Sequence, residues 1–143
     1  MNRFAAFLVA LLSVSFLAQR PVLAQGPELE AGALDAETLR HFQALLRFDT
    51  SDPPGVERPA AEYIRDVLEA EGIAVRMFAT DENRPNVVAR LRGSGTKPPL
   101  LIMGHTDTVN VDPDKWTYPP FSGTVVDGYV YSRGTVDDKD NVV

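Results

Sequence analysis

The sequence has 143 residues, 44% of them hydrophobic, and a formal net charge of −6 at neutral pH. An acidic chain of this size lacks the basic face that nucleic-acid binding requires, so we expect no nucleic-acid partner. The absence of cysteine excludes a disulfide scaffold and leaves a hydrophobic core, a metal or a partner to stabilise the fold.

Residues 1–24 have the layout of a secretory signal peptide. Arg3 precedes an apolar run over residues 4–18, and small residues precede a cleavage site after Ala24. The run is shorter than the roughly 20 residues that span a bilayer, which favours cleavage over a retained anchor. We therefore expect an exported protein, periplasmic or secreted, with no stable membrane anchor and with its mature part at residues 25–143. Cleavage would remove two arginines and no acid, which takes the net charge from −6 to −8.

The first predicted element of the mature part is a helix that begins with Asp35 as its N-cap. Its apolar face comprises Leu39, Phe42, Leu45 and Leu46. His41 lies off this face and is expected to be a solvated surface residue rather than a ligand.

A turn-forming segment, residues 48–59, separates this helix from a second one predicted from Pro59 to Gly72. Its core-facing residues are Tyr63, Ile64, Val67 and Leu68. Alternating apolar residues then predict strands over 73–77 and 87–91, and Asp127-Gly128 predicts the turn of a β-hairpin.

The segment Leu100–Met103 is apolar at every position, which is typical of a strand buried on both faces. Two helices followed by three strands, the last of them central, predict a layered α/β domain. Ligands in such sheets bind beyond the carboxyl ends of the strands, where His105 and Asp107 follow Gly104. In an extended backbone these two side chains point the same way, so a metal site is one interpretation. The triplet alone leaves open the other, a histidine that is simply hydrogen-bonded.

The second candidate segment is "YSRGTVDDKDN", residues 131–141. Asp137 and Asp138 are adjacent, so their side chains diverge in regular structure and we expect only one to face a given metal. A solvated acidic turn is the alternative. The segment does not match a calcium loop, because Val142 stands where an oxygen ligand is needed and the loop glycine is absent. A calcium-binding module of another kind stays a third alternative, which predicts that calcium but not zinc raises the thermal stability of the chain.

Taken in order, "GHTDTV", "W...PPF" and "DGYVYSRGTVDDK" resemble the M20 family of zinc metallohydrolases, which includes glutamate carboxypeptidases, deacylases of acetylornithine and succinyl-diaminopimelate, and carnosinase-like dipeptidases. The resemblance extends from Asp35 to Asn141. It implies a three-layer α/β/α catalytic domain, of which residues 25–143 would be the N-terminal part.

The resemblance also implies roles for individual residues. His105 would bind one of two zinc ions, for which cobalt or manganese could substitute, and Asp107 would be the acid that orients the histidine. Asp137 would bridge both metals, and the peptide bond to Asp138 is expected to be cis.

Other positions of the motifs would support this site. Trp116, Pro120 and Phe121 are expected to pack the loop beside the cleft, and Arg133 and Lys139 to support the acidic loop electrostatically.

Two departures from the family pattern affect what can be expected of the chain. Asp140 stands where the family usually has a glycine, which puts the geometry of the bridging acid in doubt. The family's general base and its remaining metal ligands lie beyond the position of Val143. We therefore expect a truncated chain, inactive alone.

The parent enzyme would hydrolyse a small peptide or an N-acyl amino acid, and the resemblance allows a homodimer of the full-length protein. The alternative is a short secreted chain without catalytic activity that binds a metal or a partner.

Overall fold

The computed structural model describes residues 31–143 as two helices and three two-stranded sheets. The helices are α1 (Ala31–Leu46) and α2 (Arg58–Ala70). The strands are β1 (Ser51–Asp52), β2 (Val75–Phe78), β3 (Asn86–Ala89), β4 (Thr108–Val109), β5 (Thr124–Val126) and β6 (Tyr129–Tyr131), and Pro113–Lys115 forms a 3-10 helix. The predicted signal peptide lies outside the described residues. Within them, no helix is long and apolar enough to cross a membrane.

Helix α1 extends further than the sequence pattern predicted. It begins at Ala31, so Asp35 lies inside the helix and the prediction of an N-cap there is wrong. Ala33 and Leu34 directly precede Asp35, and their high helix propensity favours a helix that continues past Asp35 toward the N-terminus, although Gly32 lies in the same turn. Leu45 and Leu46 are fully buried, whereas Leu39 is exposed, so the core lies under the C-terminal end of the helix.

Helix α2 has nearly the predicted bounds, and Gly72 follows its end with a φ of +74°. Its buried residues are Ala60 and Ala61, while the larger side chains predicted to face the core are half-buried. The two helices meet where His41 Nδ1 lies 2.7 Å from the hydroxyl of Tyr63. The expectation that His41 is solvated is therefore wrong, because its contact comes from a second helix that the α1 periodicity cannot reveal.

The predicted hairpin at Asp127-Gly128 is confirmed, and the two strands predicted before it pair with each other as a second hairpin. Strands β2 and β3 pair antiparallel with Val75 opposite Ala89, and the inward-facing residues of β2 alternate as expected. Strands β5 and β6 are joined by Asp127 and Gly128, whose φ angles of 50° and 82° suit a tight hairpin turn.

The predicted buried strand at Leu100–Met103 is wrong. These four residues are 77 to 85% exposed, and no strand of the described part pairs with them. The segment that does pair is β4, which lies parallel to β1 with Ser51 opposite Thr108. The structure thus confirms mixed α and β content but shows small separate sheets in place of one central sheet.

Candidate metal centre

The imidazole of His105 lies between two carboxylates. Its Nδ1 is 3.2 Å from Asp107 Oδ1, and its Nε2 is 3.0 Å from Asp137 Oδ1. The three residues predicted to form the site therefore come together. They are carried by the segment leading into β4 and by the loop after β6.

The contact with Asp107 determines which ring nitrogen is free for a ligand. With a cation bound at Nε2, the carboxylate beside Nδ1 would keep the ring proton there, and the Nε2 lone pair would face the cation on the side of Asp137. The carbonyl oxygen of Asp107 also lies 3.2 Å from Nδ1 and supports the same ring orientation.

The charges around His105 favour its protonated form in the absence of a metal. Desolvation opposes the charged ring, but Asp107, with smaller contributions from Asp138 and Asp137, raises the pKa of His105 above its ordinary value. The carboxylates around His105 therefore favour a positive charge at this position, either on the protonated ring or on a bound metal ion.

Asp138 is a third acid at the site. The backbone N–H of His105 donates to Asp138 Oδ2 over 3.0 Å, and the amide of Asn141 donates to Asp138 Oδ1. The hydrogen bond from Asn141, followed by that from His105, lowers the pKa of the Asp138 carboxyl group. The peptide bond between Asp137 and Asp138 is cis, as predicted.

The ligand atoms of His105, Asp137 and Asp138 all lie within 4.8 Å of one another. We did not predict Asp138 as a site residue, because adjacent side chains were expected to diverge. Its hydrogen bond to the backbone of a residue 33 positions earlier has no signature in the sequence.

A cavity of about 550 Å³ opens beside the cluster. It is lined by His105, Asp107 and Asp137 together with Asp52, Trp116 and Arg133. Asp52 was not predicted to lie here. It arrives through the parallel pairing of β1 with β4, which places Asp52 opposite Val109.

The two predicted supporting cations have other partners than the acidic loop. Arg133 lies over the ring of Trp116, 5.3 Å from its centroid, and Lys139 donates from Nζ to backbone carbonyls of Leu45 and Phe48. Among the described residues, no carboxylate oxygen lies within 4.0 Å of either cation. Neither residue supports the acidic loop through an ion pair, since each is held by aromatic or backbone contacts. Burial lowers the pKa of Lys139 to about 8.

Asp140 fits its turn without a left-handed backbone. In the described part of the chain, the one residue other than glycine with positive φ is Asp127. The absence of the family's usual glycine at Asp140 therefore does not force a strained φ there.

Comparison with known proteins places this centre in a family. The sequence profile of peptidase family M20/M25/M40 matches residues 101–143, the part that contains His105, Asp107 and the acidic loop. Residues 101–143 belong to the M20 family. The resemblance found in the sequence is thus confirmed for this part of the chain.

Curated relatives match the chain over more residues than the family profile does. The chain is 35% identical over 106 residues to a probable succinyl-diaminopimelate desuccinylase of Staphylococcus epidermidis, covering 73% of this chain and 25% of the relative. It is 37% identical over 107 residues to the N-formyl-4-amino-5-aminomethyl-2-methylpyrimidine deformylase of Halalkalibacterium halodurans, covering 72% and 25% respectively. It is 36% identical over 108 residues to the succinyl-diaminopimelate desuccinylase of Methylobacterium radiotolerans, covering 73% and 26%. The chain spans about a quarter of the length of these relatives.

The donor set fits a zinc ion. Imidazole nitrogen and carboxylate oxygen are ordinary zinc ligands, and a carboxylate behind the imidazole is the usual supporting group. Asp107 occupies that supporting position, while Nε2 of His105 and the carboxylates of Asp137 and Asp138 converge from the other side.

Proposed function

We propose that this chain is the N-terminal part of a zinc-dependent hydrolase of peptide or other amide bonds, with His105 and Asp137 as metal ligands. The observation that carries the proposal is the placement of the His105 ring, with Asp107 at Nδ1 and Asp137 at Nε2. The named relatives, which are desuccinylases and a deformylase, support amide hydrolysis as the reaction type.

Each residue has a distinct task in this proposal. Asp107 keeps the proton on Nδ1 and holds the ring, so that Nε2 remains a ligand. Asp137 has an 84% exposed side chain, whose carboxylate would hold the metal together with His105. Asp138 fixes the backbone at His105 through its hydrogen bond to the N–H. A pair of zinc ions would polarise the scissile carbonyl and lower the pKa of a bound water.

The wider setting is proposed on the same basis. The full-length protein would build a three-layer α/β/α catalytic domain from this segment and further chain, and it would act on small peptides or N-acyl amino acids. We also propose export to the periplasm or beyond, after removal of residues 1–24, and a homodimer.

The test is metal binding and hydrolysis by the full-length gene product. His105→Ala and Asp137→Ala should each reduce zinc affinity at least tenfold in a chelator competition and abolish hydrolysis of N-acyl amino acids and dipeptides. His41→Ala and Asp114→Ala are the controls, because they remove the other histidine of the sequence and an exposed acid outside the cluster. Near-normal activity in either site variant would overturn the proposal.

Asp107→Ala separates support of the ring from direct metal binding. We expect hydrolysis to fall by more than a hundredfold while zinc affinity falls by about tenfold, because the acid acts through His105. Equal losses in both measurements would place Asp107 among the direct ligands instead.

The hydrolase and the non-catalytic alternative predict different nucleotide sequences downstream of the codon for Val143. An open reading frame that continues past Val143 into a Glu-Glu pair supports the hydrolase. A stop codon followed by unrelated sequence supports a short chain that binds a metal or a partner.

A further inference from the structure

Lys139 lies outside the helices, but its buried side chain carries a positive charge to the C-terminal end of α1. Its side chain has no solvent exposure, and its Nζ donates to the carbonyl oxygens of Leu45 at 3.1 Å and Phe48 at 2.8 Å. These carbonyls lie at and just after the C-terminal end of α1, where a cation is favoured by the helix dipole. The contact joins residues more than 90 positions apart.

The stem of Lys139 is enclosed as closely as its charged end. A Cβ atom added to Gly134 would lie 3.1 Å from Lys139 Cδ and 3.0 Å from a methyl group of Thr108. The backbone N–H of Lys139 also donates to the carbonyl of Gly134. The lysine therefore fixes the loop after β6 against the end of α1, while Gly134 of the same loop lies against Thr108 in β4.

The side chain of Asp137, two residues before Lys139, makes few contacts that could fix its position. Its side chain is 84% exposed, and its one described polar contact is with Nε2 of His105. The position of its carboxylate consequently depends on the backbone that follows, where Asp138 binds the N–H of His105 and Lys139 binds α1.

We propose that Lys139 is a positioning residue of the metal centre, which sets the distance between Asp137 and His105 by tying the acidic loop to the end of α1. This inference rests on the proposed metal-binding function. It differs from a purely stabilising role, in which Lys139 would cap the helix and the site would tolerate its loss.

The experiment compares Lys139→Met with Lys139→Arg in the full-length gene product. Methionine keeps the apolar stem and removes the donors, whereas arginine keeps a cation that can reach a carbonyl. Leu45→Ala is the matched control, because it removes a buried side chain from the same helix end but keeps the carbonyl that Lys139 binds. The three measurements are the metal-free thermal midpoint, zinc affinity by chelator competition, and the visible spectrum of the cobalt-substituted protein.

We expect Lys139→Met to weaken zinc binding at least tenfold and to change the cobalt spectrum, with partial recovery in Lys139→Arg. Leu45→Ala should lower the thermal midpoint but keep the wild-type spectrum and an affinity within about threefold. If Lys139→Met does not fold, Lys139→Gln is measured by the same criterion.

Two results would overturn the inference. A Lys139 variant whose spectrum and affinity change no more than those of Leu45→Ala would show a stabilising role only. A wild-type protein that binds neither zinc nor cobalt would overturn the proposed function and the inference with it.

Discussion

At the scale of single residues, His105 is the centre of the arrangement. Both ring nitrogens face carboxylates and its backbone N–H binds a third, so three acids converge on one residue. Asp107 orients the ring, while Asp138 holds the backbone and Asp137 stays available to a ligand.

The raised pKa of His105 can be measured directly. In the metal-free protein, an NMR titration of the imidazole should give a midpoint above the ordinary value of about 6.5. Asp107→Asn should lower this midpoint, because it removes the largest attractive contribution to the charged ring. Asp112→Asn, whose partner is Lys115, should leave it unchanged. A wild-type midpoint at or below the ordinary value would contradict the expected electrostatics.

Gly104 allows the acidic loop to approach His105. A Cβ atom at this position would lie 3.2 Å from Asp138 Oδ2 and 3.1 Å from a methyl group of Val142. Gly104→Ala should push the carboxylate away from the N–H of His105 by a few tenths of an ångström and weaken zinc binding by roughly fivefold, or about 1 kcal/mol. Gly93→Ala is the control, because nothing lies within 4 Å of its added methyl group. Equal zinc affinities for both variants would show that the loop tolerates the displacement.

At the scale of elements, Arg84 connects the N-terminal end of α2 to the cavity beside the candidate metal centre. Its guanidinium lies 2.9 Å from Asp52 and 3.1 Å from Glu57, and Glu57 is buried at the start of α2. The carboxylate of Glu57, which contributes most, and that of Asp52 raise the pKa of Arg84 above its ordinary value. A single side chain therefore compensates one buried carboxylate and one carboxylate that lines the cavity.

Removing Arg84 should destabilise the fold chiefly through Glu57. Arg84→Met leaves that buried carboxylate without a cation, so the urea midpoint should fall several times more than in Arg65→Met, which breaks an exposed pair with Asp66. Adding Glu57→Gln to Arg84→Met should restore part of the loss. A double variant less stable than the single one would contradict this explanation.

Predictability from sequence follows the range of the contacts involved. The hairpin at Asp127-Gly128 and the end of α2 at Gly72 depend on neighbouring residues, and the sequence predicts both. The roles of Asp52 and Lys139 depend on partners more than 50 and 90 positions away, and neither could be predicted from local patterns. His105, Asp107 and Asp137 were found because the resemblance covers all three.

At the scale of the whole molecule, Leu100–Met103 forms an exposed apolar row that directly precedes the candidate metal centre in the chain. Contiguous exposed apolar residues promote association between molecules, whereas apolar residues scattered singly over a surface do not. We expect the 143-residue chain to bind an apolar fluorescent dye and to self-associate as its concentration rises.

Serine substitutions test the contribution of this row. The double substitution Leu101→Ser with Ile102→Ser should reduce dye fluorescence at least twofold and shift the chain toward monomer in sedimentation. Leu91→Ser is the control, because Leu91 is equally exposed but lies outside the row. If the control has the same effect, the row has no special part in association.

The parallel pairing of β1 with β4 also determines at which stage of protein synthesis the candidate metal centre can form. Ser51 and Thr108 are partners although 56 residues lie between them, and Lys139 must reach back to Leu45. Closing such long loops is slow compared with forming helices or hairpins. On the ribosome, α1, α2 and the β2–β3 hairpin can form before residues 131–141 leave the exit tunnel. The acidic loop can dock only after residues 131–141 have left the tunnel, so the candidate metal centre forms later than these local elements.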